Sequence, residues 1–357
     1  MKINFVIPFT GSTGGIRVVY EYCNRLKANG HDVLIYSPMK AYKFNNDYSI
    51  LGRLKTFKAT LGNIFKRGNK VEWFDLKVDI KLVPKISNKY IRNADVTIAT
   101  AWPTAYDVDK LSSEKGKKIY FIQHYETWSG PIDEVDGSYR LNLNQIVIAK
   151  WLKILMKEKF SKESLLLYNG IEDEMFLNNT KKINNNITCC ILYNSLEWKG
   201  FHDGLKAFKI AKSKFKNIRL KVFGLEDLEE SLGEGIEYYQ NPKREQLKNI
   251  YEDSDIYIFP SKKEGWGLTV IEAMANKCTV VGTDTGAIEE VGINRINCLK
   301  STPNNVEKLA ENLIYSIEHE EIRNLISSNG YELALNFKWK ESLSKLESYL
   351  QDLVKNK

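Results

Sequence analysis

Strand-like apolar runs alternate with helical patterns from one end of the chain to the other, and this alternation constrains the fold more than any other feature. A parallel strand buried on both faces reads as a short continuous apolar run, and a crossover segment must separate it from the next. Such runs occupy residues 3–9, 33–37, 96–100, 118–123, 145–149 and 165–168 in the first half. Helical periodicity fills the intervals. It is clearest over 16–29, which follows Gly14-Gly15 and stops at Gly30, a residue suited to the left-handed turn past a helix end. The rhythm restarts with strands at 189–193, 219–223, 256–260 and 279–282 and helices at 201–214, 243–252, 267–277 and 304–318. The pattern predicts an α/β chain of two doubly wound, Rossmann-like domains.

A length of 357 residues exceeds what a single core usually supports, in keeping with two domains. Composition sets the boundaries: an N-terminal domain over 1–170, an Asn-rich charged linker over 171–186, a C-terminal domain over 187–338 and an amphipathic helix over 339–357. Open parallel sheets bind ligands beyond the carboxyl ends of their strands, so function is expected in the loops that follow strands, in a cleft where two such domains face each other.

Five cysteines with no C-x-x-C pair give no disulfide framework and no zinc site. The first apolar run is too short for a signal peptide, and no run of about 18 apolar residues is present to span a bilayer, so a cytoplasmic protein is expected. The net charge of +7 favours anionic partners; nucleotide phosphates, acidic lipids and nucleic acid all qualify on charge alone.

The richest stretch is 259–275, Phe-Pro-Ser-Lys-Lys-Glu-Gly-Trp-Gly-Leu-Thr-Val-Ile-Glu-Ala-Met-Ala. A buried strand ends at Pro260, a Gly-rich loop follows and a helix begins near Gly267, so free backbone N–H groups and the positive helix end suit a diphosphate. Glu264 before the helix and Glu272 within it offer carboxylates for vicinal diols, one for a hexose and one for a ribose. The plainer alternative is a helix cap and a solvated helix residue. The stretch as a whole resembles the signature of glycosyltransferase family 4 of the GT-B fold, E-x7-E within P-S-x-x-E-G-x-G-L-x-x-x-E-A-M-A, nearly position by position.

The resemblance covers most of the chain. Thr10-Gly11-Ser12-Thr13-Gly14-Gly15, with Arg17 just beyond, resembles the family's glycine loop; an ordinary strand-to-helix turn explains it equally well. Gln123-His124-Tyr125 resembles the family's histidine position near the sugar, and Tyr168-Asn169-Gly170-Ile171 the segment that closes its first domain. Leu196-Glu197-Trp198-Lys199-Gly200 resembles the loop whose lysine meets the donor phosphates, against the alternative of a solvated turn lysine. One departure stands out: Tyr193-Asn194 occupies the position where the family often has Gly-Arg. Lys199 then acts with another cation such as Arg17 or Lys262, or backbone dipoles neutralise the diphosphate.

The resemblance implies a retaining, metal-independent hexosyltransferase with a nucleoside diphosphate sugar donor, a glycan or lipid-linked acceptor, no cofactor and no nucleic-acid partner. His124, Lys199 and Glu264 would stabilise the transition state. Gly14, Gly15, Arg17, Asn194, Gly265, Trp266, Gly267, Leu268, Thr269 and Glu272 would bind substrate. Asp107-Val108-Asp109 and Asp253-Ser254-Asp255 could suggest a metal, but neither pair follows a strand as a metal loop should. A non-catalytic sugar-nucleotide-binding subunit is a second reading, kept open by the missing arginine. A nicotinamide-dependent oxidoreductase is a third, disfavoured because the glycine run lacks G-x-G-x-x-G spacing. Finally, residues 50–67 place Ile50, Leu54, Phe57, Leu61, Ile64 and Phe65 on one helical face with Arg53, Lys55, Lys58, Lys66 and Arg67 around them. That pattern fits a helix packed on the first domain or one lying on an anionic membrane surface at the inner leaflet.

Overall fold

The structure, a computed structural model, describes residues 1–39, 71–177, 186–228 and 232–355, together with Tyr42, Leu54, Lys58 and Lys181. The basic segment 50–67 lies outside the described residues apart from Leu54 and Lys58, which are helical and exposed. The chain forms two compact units, Met1–Tyr168 with Ser342–Lys357, and Asn169–Glu341.

In the first unit, β1 (Lys2–Val6), β2 (Asp32–Pro38), β3 (Ile80–Val83), β4 (Val96–Ala99), β5 (Lys117–Ile122), β6 (Asn144–Val147) and β7 (Ser164–Leu166) form a parallel sheet in the order 3-2-1-4-5-6-7. Ile3, Phe5, Val6, Ile98, Phe121 and Ile146 are buried in it, as continuous apolar runs require. Helix α1 (Gly14–Ala28) begins where Thr13 Oγ1 accepts the Ile16 N–H at 3.3 Å. Helices α2 (Trp102–Asp109), α3 (Ile132–Arg140) and α4 (Lys150–Phe160) follow in this unit.

In the second unit, β8 (Thr188–Tyr193), β9 (Arg219–Gly224), β10 (Ile236–Gln240), β11 (Ile256–Phe259), β12 (Thr279–Thr283) and β13 (Leu299–Ser301) form a parallel sheet in the order 10-9-8-11-12-13. Helices α5 (Phe201–Lys214), α6 (Arg244–Glu252), α7 (Leu268–Ala275), α8 (Ala287–Val291), α9 (Val306–Glu318) and α10 (Glu320–Ala334) connect them. Helix α7 buries Val270, Ile271, Ala273 and Met274 completely, so it is apolar around most of its circumference.

The terminal helix α11 (Trp339–Lys355), whose partner the sequence left open, joins the first unit from Ser342 onward. There Ser342 Oγ donates to the Tyr168 carbonyl at 2.6 Å, Glu347 receives Asn29 Nδ2 at 3.0 Å and His31 Nε2 at 2.9 Å, and Leu346 and Leu350 are buried. The stretch expected as a linker at 171–186 begins inside the second unit: Ile171 pairs with Lys338, and Met175 and Phe176 are buried. Strands β3, β10 and β13 have no continuous apolar run to mark them, because Lys81 interrupts β3, Glu237 interrupts β10 and Lys300 sits at the centre of the three-residue β13. Strand β1 ends at Val6 rather than at residue 9, and α7 ends at Ala275 rather than at 277, where Lys277 turns left-handed at φ 53°.

Candidate active site

Strand order decides where each unit can hold a ligand. In the second unit β8 has β9 on one side and β11 on the other, so the connections leaving β8 and β11 run to opposite faces and open a crevice at their carboxyl ends. The two loops that begin there are 194–200 and 260–267, the ones singled out in the sequence. They are tied together: the Lys262 N–H donates to the Trp198 carbonyl at 2.7 Å. Gly200 sits at φ 67°, and a Cβ there would lie 2.1 Å from the Pro260 carbonyl oxygen, so only glycine lets the loops approach this closely.

This approach brings Lys199 and Glu264 into contact. Lys199 Nζ lies 2.5 Å from Glu264 Oε2, and Glu264 Oε1 accepts the Gly265 N–H at 3.1 Å. Both side chains are mostly enclosed, at 23% and 14% exposure, so their attraction is screened less than that of a surface pair. Asn194 turns its own loop: Oδ1 accepts the Leu196 N–H at 3.0 Å. Lys262, named as an alternative second cation, is directed to Glu197 at 3.1 Å and Asp203 at 3.8 Å.

Gly267 is the left-handed N-cap of α7, with Leu268 and Thr269 in its first turn. Glu272 is buried within α7, and its Oε2 accepts the Tyr251 hydroxyl from α6 at 3.2 Å. Burial and the Glu272 charge raise the Tyr251 pKa well above its ordinary value, so the phenol keeps its proton and stays a donor. Trp266 is buried with its ring 5.4 Å from Phe337, and its carbonyl accepts the Ala287 N–H at 2.5 Å; its side chain packs into the unit.

Two supports escaped the sequence reading. One is Tyr251, which no motif marks. The other is the turn after β12, where Thr283 and Thr285 hydroxyls donate to the Ser261 carbonyl at 2.5 and 3.2 Å. Gly286 there, at φ 56°, passes under Glu264, since a Cβ would come within 2.9 Å of the Glu264 Cβ.

In the first unit the corresponding reversal lies between β1, β2 and β4, and the glycine loop leaves β1 there. Gly14 and Gly15 open α1, and Arg17 follows in its first turn. Gln123 Nε2 donates to the Gly15 carbonyl at 3.0 Å, which joins the glycine loop to the one carrying His124. The His124 ring stands edge-on to Trp128 at 4.2 Å and to Trp151 at 5.6 Å. Its carbonyl receives the Tyr139 hydroxyl at 3.2 Å, which in turn accepts the Glu126 N–H. The Glu126 carboxyl is enclosed, receiving the Trp102 N–H at 2.9 Å and the Tyr120 hydroxyl at 3.4 Å. Burial pushes its pKa up to about 7 against these two donors.

The Asp pairs have other partners. Asp107 accepts the Tyr42 hydroxyl at 2.6 Å, Asp253 meets Lys221 at 3.0 Å and Asp255 accepts the Thr188 N–H at 2.9 Å. Among the described residues no three His, Cys, Asp or Glu side chains converge as a metal site, and no helix is long and apolar enough to cross a membrane.

Two parallel α/β units in one chain, each with its strand-end loops at a topological reversal, define the GT-B fold. The sucrose-phosphate synthase of Thermosynechococcus elongatus superposes over 100% of both chains with a TM-score of 0.74 at 13% identity. The HepE protein of Anabaena, crystallised with UDP and glucose, matches 99% of this chain and 100% of its own with a TM-score of 0.73 at 14% identity. Residues 176–333 match the family model described as glycosyl transferases group 1. Among curated proteins, the Staphylococcus aureus capsular polysaccharide biosynthesis glycosyltransferase CapM is 29% identical over 206 residues, 52% of this chain and 54% of that one. The chain spans about half the length of the curated relatives it matches first.

Proposed function

We propose that the chain is a retaining, metal-independent glycosyltransferase of family 4, with Glu264 and Glu272 as its E-x7-E pair. It moves a sugar from a nucleoside diphosphate sugar onto a glycan or lipid-linked glycan in bacterial surface polysaccharide or glycoconjugate assembly. The observation that carries this reading is the Lys199–Glu264 contact at the reversal point, beside the N-terminal end of α7. A cation and a free helix end stabilise the charge that a departing nucleoside diphosphate gains as the glycosidic bond breaks. On donor binding Lys199 exchanges its carboxylate partner for phosphate oxygens, and Glu264 is released to accept hydroxyls of the transferred sugar. Glu272, held by Tyr251, takes the ribose hydroxyls. His124 joins Lys199 and Glu264 in stabilising the transition state, Gly14, Gly15 and Arg17 bind substrate, and front-side attack with the leaving phosphate as base retains the anomeric configuration.

HepE was crystallised with UDP-glucose, and CapM is named for capsular polysaccharide synthesis, which makes uridine diphosphate sugars the first donors to test. The purified protein should release UDP from one such donor in an acceptor-dependent reaction. Glu264→Gln should lower kcat far more than it weakens UDP binding, because its contact matters most in the transition state. Near-parental turnover in this variant at saturating donor overturns the assignment of Glu264. Loss of transfer in a chelator, restored by magnesium or manganese, overturns metal independence. The protein works at the cytoplasmic face of the membrane, with residues 50–67 as the contact. Salt-sensitive co-sedimentation with phosphatidylglycerol vesicles is expected, and an unbound protein at low salt refutes it.

A further inference from the structure

In the second unit a cavity of about 420 Å3 opens beyond the carboxyl ends of β8 and β9. Tyr193 lines it at the end of β8, Phe201, His202 and Leu205 from the start of α5, and Glu226 and Asp227 from the loop after β9. Lys199, Glu264 and Glu272 do not line it, whereas Ser195 of the 194–200 loop does, so it lies beside the site described above. Its volume falls within the range of small-molecule sites.

The lining restricts the occupant. Among the described residues no lysine or arginine lines the cavity while two carboxylates do, so an anion such as a nucleotide phosphate is repelled. Each carboxylate is oriented by one donor: Glu226 Oε2 accepts the Ser195 N–H at 3.1 Å, and Asp227 Oδ1 accepts Gln240 Nε2 at 2.6 Å. Among the described residues nothing else hydrogen-bonds to either carboxylate group, which leaves the second oxygens to accept from a ligand. The Tyr193 and Phe201 rings meet at 4.8 Å and 81°, a single apolar wall with no array of ring faces around a cation. Hydroxyl donors on one side and an apolar C–H face on the other describe a sugar ring.

We propose that this cavity binds a neutral carbohydrate of one or two rings, at a site beside the donor site. The assignment rests on the cavity alone and holds whether or not the chain transfers sugar. Ser195, which shares the loop of Lys199, is the physical link by which an occupant would reach the donor site.

The test uses protein labelled at leucine methyls, with Leu205, Leu228 and Leu232 as reporters inside the cavity. Glucose, galactose, mannose, N-acetylglucosamine, maltose and lactose are titrated separately, with choline as the cationic control. At least one sugar should shift these methyls saturably, and Glu226→Gln and Asp227→Asn should each weaken that binding by about tenfold, the effect of losing a charged acceptor. Asp227 is exposed, so its variant keeps the test open even if the Glu226 variant fails to fold. Silent methyls with every sugar up to tens of millimolar, unchanged affinity in both variants, or a response to choline alone overturns the proposal.

Discussion

Glu126→Gln should remove a pH dependence from the stability of the first unit. The folded chain holds the Glu126 proton to about pH 7, against an ordinary value of 4.5, because burial of its carboxyl outweighs the two donors it has among the described residues, the Trp102 N–H and the Tyr120 hydroxyl. Between those two values the folded state binds more protons than the unfolded state, so this group lowers stability as pH rises. Below about 4.5 both states are protonated and the cost vanishes; above about 7 both are ionised and the full cost is present. At about 1.4 kcal/mol for each pH unit separating the two values, that cost is about 3.5 kcal/mol. Glutamine keeps the acceptor oxygen and the shape but never ionises. Urea unfolding of the parent and Glu126→Gln between pH 5 and 8, read from exchange protection of peptides spanning β5, isolates the first unit from the second. The advantage of the variant should grow with pH by about 2 to 3 kcal/mol and level off above pH 7. A difference flat across this range would mean that the carboxyl is solvated, and the account of the His124 loop built on it fails.

In the second unit, Glu272→Ala should weaken UDP binding by about 1.5 to 3 kcal/mol, the cost of a lost charged acceptor, and equal calorimetric affinities would remove it from the ribose site. Tyr251→Phe deletes only the hydroxyl that orients Glu272, so UDP affinity should fall by about 1 kcal/mol with the fold intact; unchanged affinity shows that α7 alone positions the carboxylate. Gly200→Ala forces a Cβ against the Pro260 carbonyl at a left-handed φ, and a loss of at least about 2 kcal/mol of stability in the second unit is expected. A thermal midpoint unchanged from the parent contradicts that loop geometry.

The sequence by itself determined what local chemistry can specify. Strands buried on both faces, such as 256–259, write themselves as continuous apolar runs, and helix α5 begins and ends at the residues its pattern marks. The loop-and-helix segment bearing Glu264 and Glu272 was legible because glycines, carboxylates and an apolar helix follow in one short string. Strands β3, β10 and β13 stayed hidden because charged residues interrupt them, and β10, with no fully buried residue, follows the pairing of β9 rather than a pattern of its own. Only the tertiary structure decided which distant side chains meet. Lys199 reaches Glu264 because strand order sets β8 beside β11 and glycine lets their loops touch, and residues 65 positions apart leave no periodic mark of such a meeting. The same holds for Tyr251 on Glu272, for the enclosed carboxyl of Glu126 and for the terminal helix on the first unit. Each depends on packing between segments remote in sequence, and burial, not residue type, gives those groups their chemistry.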